Sequence, residues 1–152
     1  KMRSDGSEKT ELTTNLNIED SYYGNISLGR PTWSADGSIF FNLTGPSRNT
    51  MGIYRLAAEG GKITPVYRSG WIDVAPAASP DSKELAFFSN RSGRNEIWLF
   101  NLQNGSLQQV TANPDLYIDV TFNKIEWIDS NTLFFGAYTV LDQQYRLYKL
   151  FL

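Results

Sequence analysis

Three polar side chains recur along the 152 residues, each two places after an aromatic: Asn25, Asp73 and Asp119. They stand in Tyr23-Gly24-Asn25-Ile26, Trp71-Ile72-Asp73-Val74 and Tyr117-Ile118-Asp119-Val120, at intervals of 48 and then 46 residues. Gathered in a ring, such oxygens would hold a hard cation such as Ca2+, a water, or the polar groups of a peptide. Kept apart, each would close its own turn through a side-chain to backbone bond. The spacing leaves both open. Arginines in polar loops add a second kind of chemistry. Arg48 lies in Gly45-Pro46-Ser47-Arg48-Asn49, and Arg91 and Arg94 lie in Asn90-Arg91-Ser92-Gly93-Arg94-Asn95. There a guanidinium would meet a carboxylate or a protein partner, or stand in solvent as a loop charge. With Tyr23, Trp71 and Tyr117 these arginines form the candidate binding surface, because Trp, Tyr and Arg dominate interaction hot spots.

Composition removes much other chemistry. The chain has no His and no Cys, which excludes Cys/His zinc sites, thiol nucleophiles, Ser-His-Asp triads and histidine acid–base catalysis. An enzyme would have to use carboxylates, Lys, Tyr or a hard metal ion, and Asp73 with Asp119 is the pair that glycosidase chemistry would need. Lys+Arg 14 against Asp+Glu 16 gives a net charge of -2, without the basic excess of a nucleic-acid binder. No apolar run approaches the roughly 18 residues of a membrane-spanning helix. No cofactor is implied, apart from the Ca2+ that a channel ring would hold.

The elements that position these residues repeat as well. Pro31-Thr32-Trp33-Ser34-Ala35-Asp36-Gly37-Ser38-Ile39-Phe40-Phe41 corresponds to Pro76-Ala77-Ala78-Ser79-Pro80-Asp81-Ser82-Lys83-Glu84-Leu85-Ala86-Phe87-Phe88, and then to Glu126-Trp127-Ile128-Asp129-Ser130-Asn131-Thr132-Leu133-Phe134-Phe135. A β-prone block follows each, as in Gly52–Leu56, Glu96–Phe100 and Tyr145–Leu150, and then a Gly turn with a short strand, as in Asn104-Gly105-Ser106-Leu107-Gln108-Gln109-Val110-Thr111. Asp5-Gly6-Ser7 to Thr13 supplies that last block at the other end of the chain. No window carries a 3.6-residue apolar rhythm long enough for a helix of three turns, so almost no helix is predicted. Four short strands per period of 40–50 residues is the pattern of β-propeller blades. A sandwich of about twelve strands would not require the turn chemistry to recur in phase. Asp36-Gly37, Asp81-Ser82 and Asp129-Ser130-Asn131 are read as the hairpin turns between first and second strands. Ser34-Ala35-Asp36-Gly37 lacks the spacing of a calcium loop. Trp33 and Trp127 are expected to pack between blades, where an aromatic buries a large area.

The motifs Pro-x-Trp-Ser-x-Asp-Gly, Ser-Asn-Arg-Ser-Gly-Arg-Asn-Glu-Ile-Trp-Leu and Asn-Gly-x-x-x-x-Val-Thr resemble the TolB-type, WD-like β-propeller repeat. Pro76–Thr111 matches along nearly its whole length, Pro31–Phe41 matches well, and the third repeat is degenerate, with Ile128 where the motif has Ser. The resemblance implies an all-β propeller and a non-enzymatic module that binds a protein, peptide or small polar ligand, in the periplasm or outside the cell. It equally covers propellers that are accessory or gating domains of larger, prolyl-oligopeptidase-like hydrolases. A carbohydrate-active propeller enzyme fits it less well.

The expected organisation is a single domain, 1–152, with repeats at 14–67, 68–111 and 112–152 and with 1–13 supplying a closing outer strand. Three blades do not close a ring, since propellers need about four or more. The strands therefore predict half of a six-bladed propeller, completed either by a second copy in a homodimer or by the rest of a longer chain.

Overall fold

The computed structural model describes residues 5, 7–9, 11–12, 27–44, 51–121 and 123–152. Among them there is no helix, and the strands form three antiparallel sheets. The first holds β1 (Ser27–Leu28), β2 (Thr32–Trp33), β3 (Ser38–Thr44), β4 (Gly52–Ala57) and β5 (Thr64–Tyr67). The second holds β6 (Asp73–Ala78), β7 (Glu84–Ser89), β8 (Glu96–Asn101) and β9 (Leu107–Gln109). The third holds β10 (Leu116–Tyr117), β11 (Ile125–Asp129), β12 (Thr132–Thr139) and β13 (Gln144–Phe151). In each sheet a long second strand is flanked by the third strand and by an innermost strand that breaks midway. β1 and β2 both pair with β3, and β10 and β11 both pair with β12. β6 is continuous, but its register with β7 shifts between Val74 and Ala77. Pro31 and Pro76 sit in two of these breaks, where a missing N–H costs the ladder nothing.

The turns follow the chemistry of the sequence. In each first hairpin the Asp carboxylate accepts the backbone N–H two residues on: Ser38 to Asp36 at 2.9 Å, Lys83 to Asp81 at 3.2 Å and Asn131 to Asp129 at 2.8 Å. Gly37 and Ser82 both take the left-handed conformation that such a turn demands, at φ 81° and 60°. There Ser82 does a second job. Its hydroxyl meets that of Ser34 at 2.7 Å and accepts the Asp36 N–H at 3.3 Å, tying the first two sheets together at their turns.

The sheets pack face to face, which explains why runs such as Leu85-Ala86-Phe87-Phe88 are buried on both sides rather than alternating. Phe40 and Ile53 of the first sheet meet Leu85, Phe87 and Phe100 of the second. Ala86, Phe88, Ile97 and Leu99 on the second sheet's other side meet Leu133, Phe135 and Ala137 of the third. Each fully buried Leu, Ile or Phe here stabilises the stack by about 1.5–3 kcal/mol. Hydrogen bonds cross both boundaries near the inner strands. The Ala75 N–H donates to Asn42 Oδ1 at 3.1 Å, and Trp127 Nε1 donates to the Ala77 carbonyl at 3.0 Å. Trp127 thus packs between sheets as expected. Trp33 does not. It stands 60% exposed, because it belongs to the first sheet and its equivalent contact would be made to a sheet preceding that one.

Candidate functional site

The loop Asn90–Asn95, between β7 and β8, is the centre of the candidate face. Gly93 turns it at φ 93°, with its N–H on the Asn90 carbonyl at 3.0 Å. On one side Asn90 Oδ1 accepts the Ile72 N–H at 3.0 Å. On the other, Asn95 Nδ2 donates to the Ile118 carbonyl at 3.0 Å, and the Arg94 guanidinium donates to the carbonyls of Asn113 and Leu116. One polar loop therefore anchors the approach to β6 and the segment across β10, on which Trp71 and Tyr117 stand. Trp71 and Tyr117 are 47% and 56% exposed, with Ile72 beside Trp71 also open to solvent.

The charged residues are arranged differently. Asp73 is buried at the head of β6, where Arg91 reaches it at 2.6 Å and the Ser69 hydroxyl donates to its other oxygen at 2.5 Å. The Arg91 side chain is itself 10% exposed. It also donates to the hydroxyls of Tyr67 and Ser89, and its guanidinium lies 4.8 Å from the Trp98 ring centre, 5.0 Å from Tyr67 and 5.6 Å from Phe87. Cation–π attraction is worth most in such a desolvated place. Arg94 pairs with Glu96 at 2.8 Å, and the Thr111 hydroxyl donates to that buried carboxylate at 2.5 Å. Arg91 and Arg94 thus each neutralise a buried carboxylate. No local pattern marks Tyr67 or Ser69 as partners of Arg91, whereas Arg94-Asn95-Glu96 on the way into a strand is a visible hint of the second pair.

Asp119 closes its own turn: Oδ1 accepts the Thr121 N–H at 2.9 Å and its carbonyl accepts that of Asn123 at 3.1 Å. Tyr23, Asn25 and Arg48 lie outside the described residues. No three His, Cys, Asp or Glu residues gather as a metal cluster among the described residues. Of the sequence candidates the structure brings together Trp71, Asp73, Arg91, Arg94 and Tyr117 around one loop, and leaves Asp119 to its local bonds.

The inner strands border a second feature, a groove of about 370 Å³ lined by Arg30, Trp33, Pro76, Pro80, Lys124 and Trp127 among others. Arg30 spans it, donating at 3.2 Å to the carbonyls of both Thr121 and Asn123. Three face-packed antiparallel sheets with their broken inner strands along a common groove are consecutive blades about one side of a propeller channel.

No protein-family model matches the chain. Over 88 residues, 57% of its length, it is 32% identical to the Tol-Pal system protein TolB of Francisella tularensis. The TolB of Sodalis glossinidius is 38% identical over 56 residues. Among solved structures, a putative TolB from Agrobacterium tumefaciens superposes with a TM-score of 0.64 at 19% identity, over 93% of this chain and 48% of that one. The blades resemble those of TolB. TolB from Acinetobacter baumannii agrees, with a TM-score of 0.65 at 20% identity over 82% of this chain and 29% of its own. An acylaminoacyl peptidase from Pyrococcus horikoshii shares the fold at a TM-score of 0.50 and 16% identity. The chain spans about a fifth of the length of the curated TolB relatives it matches. No helix among its described residues is long and apolar enough to cross a membrane.

Proposed function

We propose that this TolB-type propeller is a non-enzymatic binding module of the periplasm or extracellular space, which takes a protein or peptide on the face of the Asn90–Asn95 loop. The observation that carries the reading is the pairing of exposed Trp71, Ile72 and Tyr117 with a loop whose arginines are already matched to Asp73 and Glu96. Such a surface offers aromatic contact area on a rigid frame, which lowers the ordering cost of binding. The name of the curated relatives, Tol-Pal system protein, supports a protein partner. The reading includes no cofactor and no nucleic acid, and leaves the blades to be completed by a second copy of the chain or by the rest of a longer propeller chain.

An accessory propeller of a larger hydrolase is the second reading, favoured by the likeness in fold to the acylaminoacyl peptidase. It places the chemistry outside these blades. Glycosidase chemistry by Asp73 and Asp119 fits the geometry poorly, since Asp73 is buried and held by Arg91 and Ser69. The test is binding to an immobilised peptide library and to a Pal protein, with the wild type beside Trp71→Ala and Tyr117→Ala. Each substitution is expected to weaken capture by roughly thirtyfold, as for a hot-spot aromatic, with the melting temperature unchanged. Equal capture by all three proteins would overturn the reading.

A further inference from the structure

Arg55, Arg91, Arg94 and Arg146 each pair with a carboxylate, respectively Asp36, Asp73, Glu96 and Asp142. Arg30 is held without one among the described residues. Its Nη1 donates to the Asn123 carbonyl and its Nη2 to the Thr121 carbonyl, both at 3.2 Å. Backbone carbonyls orient a guanidinium without cancelling its charge, and these two bonds use only part of its fork of N–H donors. The tie joins the segment between β1 and β2 in the first blade to the segment ahead of β11 in the third. A solvent-reached cation is thereby fixed across the groove that the inner strands border.

The lining of that groove leaves this charge uncompensated. Its other charged residues are Lys124 and Glu126, and they pair with each other. One net positive charge remains, that of Arg30. The polar groups beside it are engaged: Thr32 Oγ1 accepts the Ala78 N–H at 3.4 Å, and Trp127 Nε1 donates to the Ala77 carbonyl. Pro31, Pro76 and Pro80 bring no N–H to the wall. An extended peptide therefore finds no continuous edge on which to add as a further strand. The volume of about 370 Å³ lies at the lower end of the roughly 300–1,000 Å³ of small-molecule sites.

We propose that the groove binds a small organic monocarboxylate, its carboxylate on the free N–H groups of Arg30 and its apolar body against Pro31, Pro76 and Trp127. A guanidinium fixed in advance is suited to this, because the planar fork matches a carboxylate and little ordering is left to do. Charge sets the class of ligand. One carboxylate balances the single positive charge, whereas a phosphate monoester brings about −1.5 to −2.

The site is separate from the Asn90–Asn95 face, so its test does not depend on the partner proposed there. The probe is phenylacetate, titrated into the full chain at low salt while the indole N–H signals are followed by nuclear magnetic resonance. The Trp127 signal is expected to shift with an affinity of about millimolar, and the Trp71 signal to stay. Phenylacetamide, which lacks the charge, should bind at least about tenfold more weakly, and added salt should weaken phenylacetate. Arg30→Gln should cost at least about tenfold. Glu126→Gln should instead tighten binding by about threefold, because it releases Lys124 to the ligand. That gain does not follow if Arg30 only ties the blades together, and it can be read even if Arg30→Gln fails to fold. Trp71→Ala should change nothing. The proposal is overturned if the Trp127 signal does not move at tens of millimolar phenylacetate, or if phenylacetamide binds equally well. Tighter binding of phenyl phosphate, or an affinity indifferent to both Arg30→Gln and Glu126→Gln, would overturn it too.

Discussion

Arg91 illustrates how far a loop charge can be drawn into a fold. Its partner Asp73 is fully buried, so removing either member leaves an uncompensated charge away from water. Arg91→Ala or Asp73→Leu alone should cost about 3–5 kcal/mol, and the double variant clearly less than the sum. Urea denaturation of the four proteins of that cycle measures it. Equal and additive losses would mean that the pair is not coupled. A gentler case is the exchange of Gly and Asn between blades. A Cβ on Gly29 would lie 2.0 Å from Asn42 Oδ1, and one on Gly136 would lie 2.5 Å from Asn123 Oδ1. One asparagine side chain occupies each place, from the second strand in the first blade and from the inner-strand segment in the third. Gly29→Ala should therefore push Asn42 off the Ala75 N–H and cost about 1–3 kcal/mol. Gly29→Asn combined with Asn42→Gly copies the arrangement of the third blade and should recover part of that loss in the same denaturation experiment.

At the scale of elements the hairpin turns carry the pH dependence. Burial pushes the Asp36 carboxyl up, but bonds from the Ser38 backbone and hydroxyl and from Ser34, with Arg55 nearby, outweigh it and hold the group below its ordinary 3.8. The Ser79 hydroxyl, then Lys83, do the same for Asp81. A carboxyl whose folded value is depressed stabilises the fold fully above its unfolded value and loses that contribution as pH falls through the folded one. The melting temperature should thus hold down to about pH 4 and decline below it. An Asp36→Asn, Asp81→Asn double variant should decline less steeply in the same scan. These turns were legible in the sequence because Asp-Gly and Asp-Ser state a local backbone requirement. The strands were legible because runs such as Leu85–Phe88 are apolar whatever covers them. The Arg91 pocket was not. It is assembled from Tyr67 in one blade and Asp73, Phe87 and Trp98 in the next, and no local pattern encodes that meeting. Trp33 misled for the related reason that a repeat position fixes a residue's direction but not what lies there.

For the molecule as a whole, stability is distributed by how many neighbours each blade has. The second blade is covered on both faces, by Phe40 and Ile53 on one and by Leu133 and Phe135 on the other. Among the described residues the third is covered on one. In arrays of repeated units, stability is close to a sum of unit and boundary terms, so the unit with two boundaries opens last. Native-state hydrogen exchange should therefore find the slowest amides in β7 and β8. The outward N–H groups of β13, which have no adjoining strand among the described residues, should be among the fastest in a dilute sample. Equal exchange rates in β7, β8 and β13 would mean that the boundaries between blades do not set the order of opening.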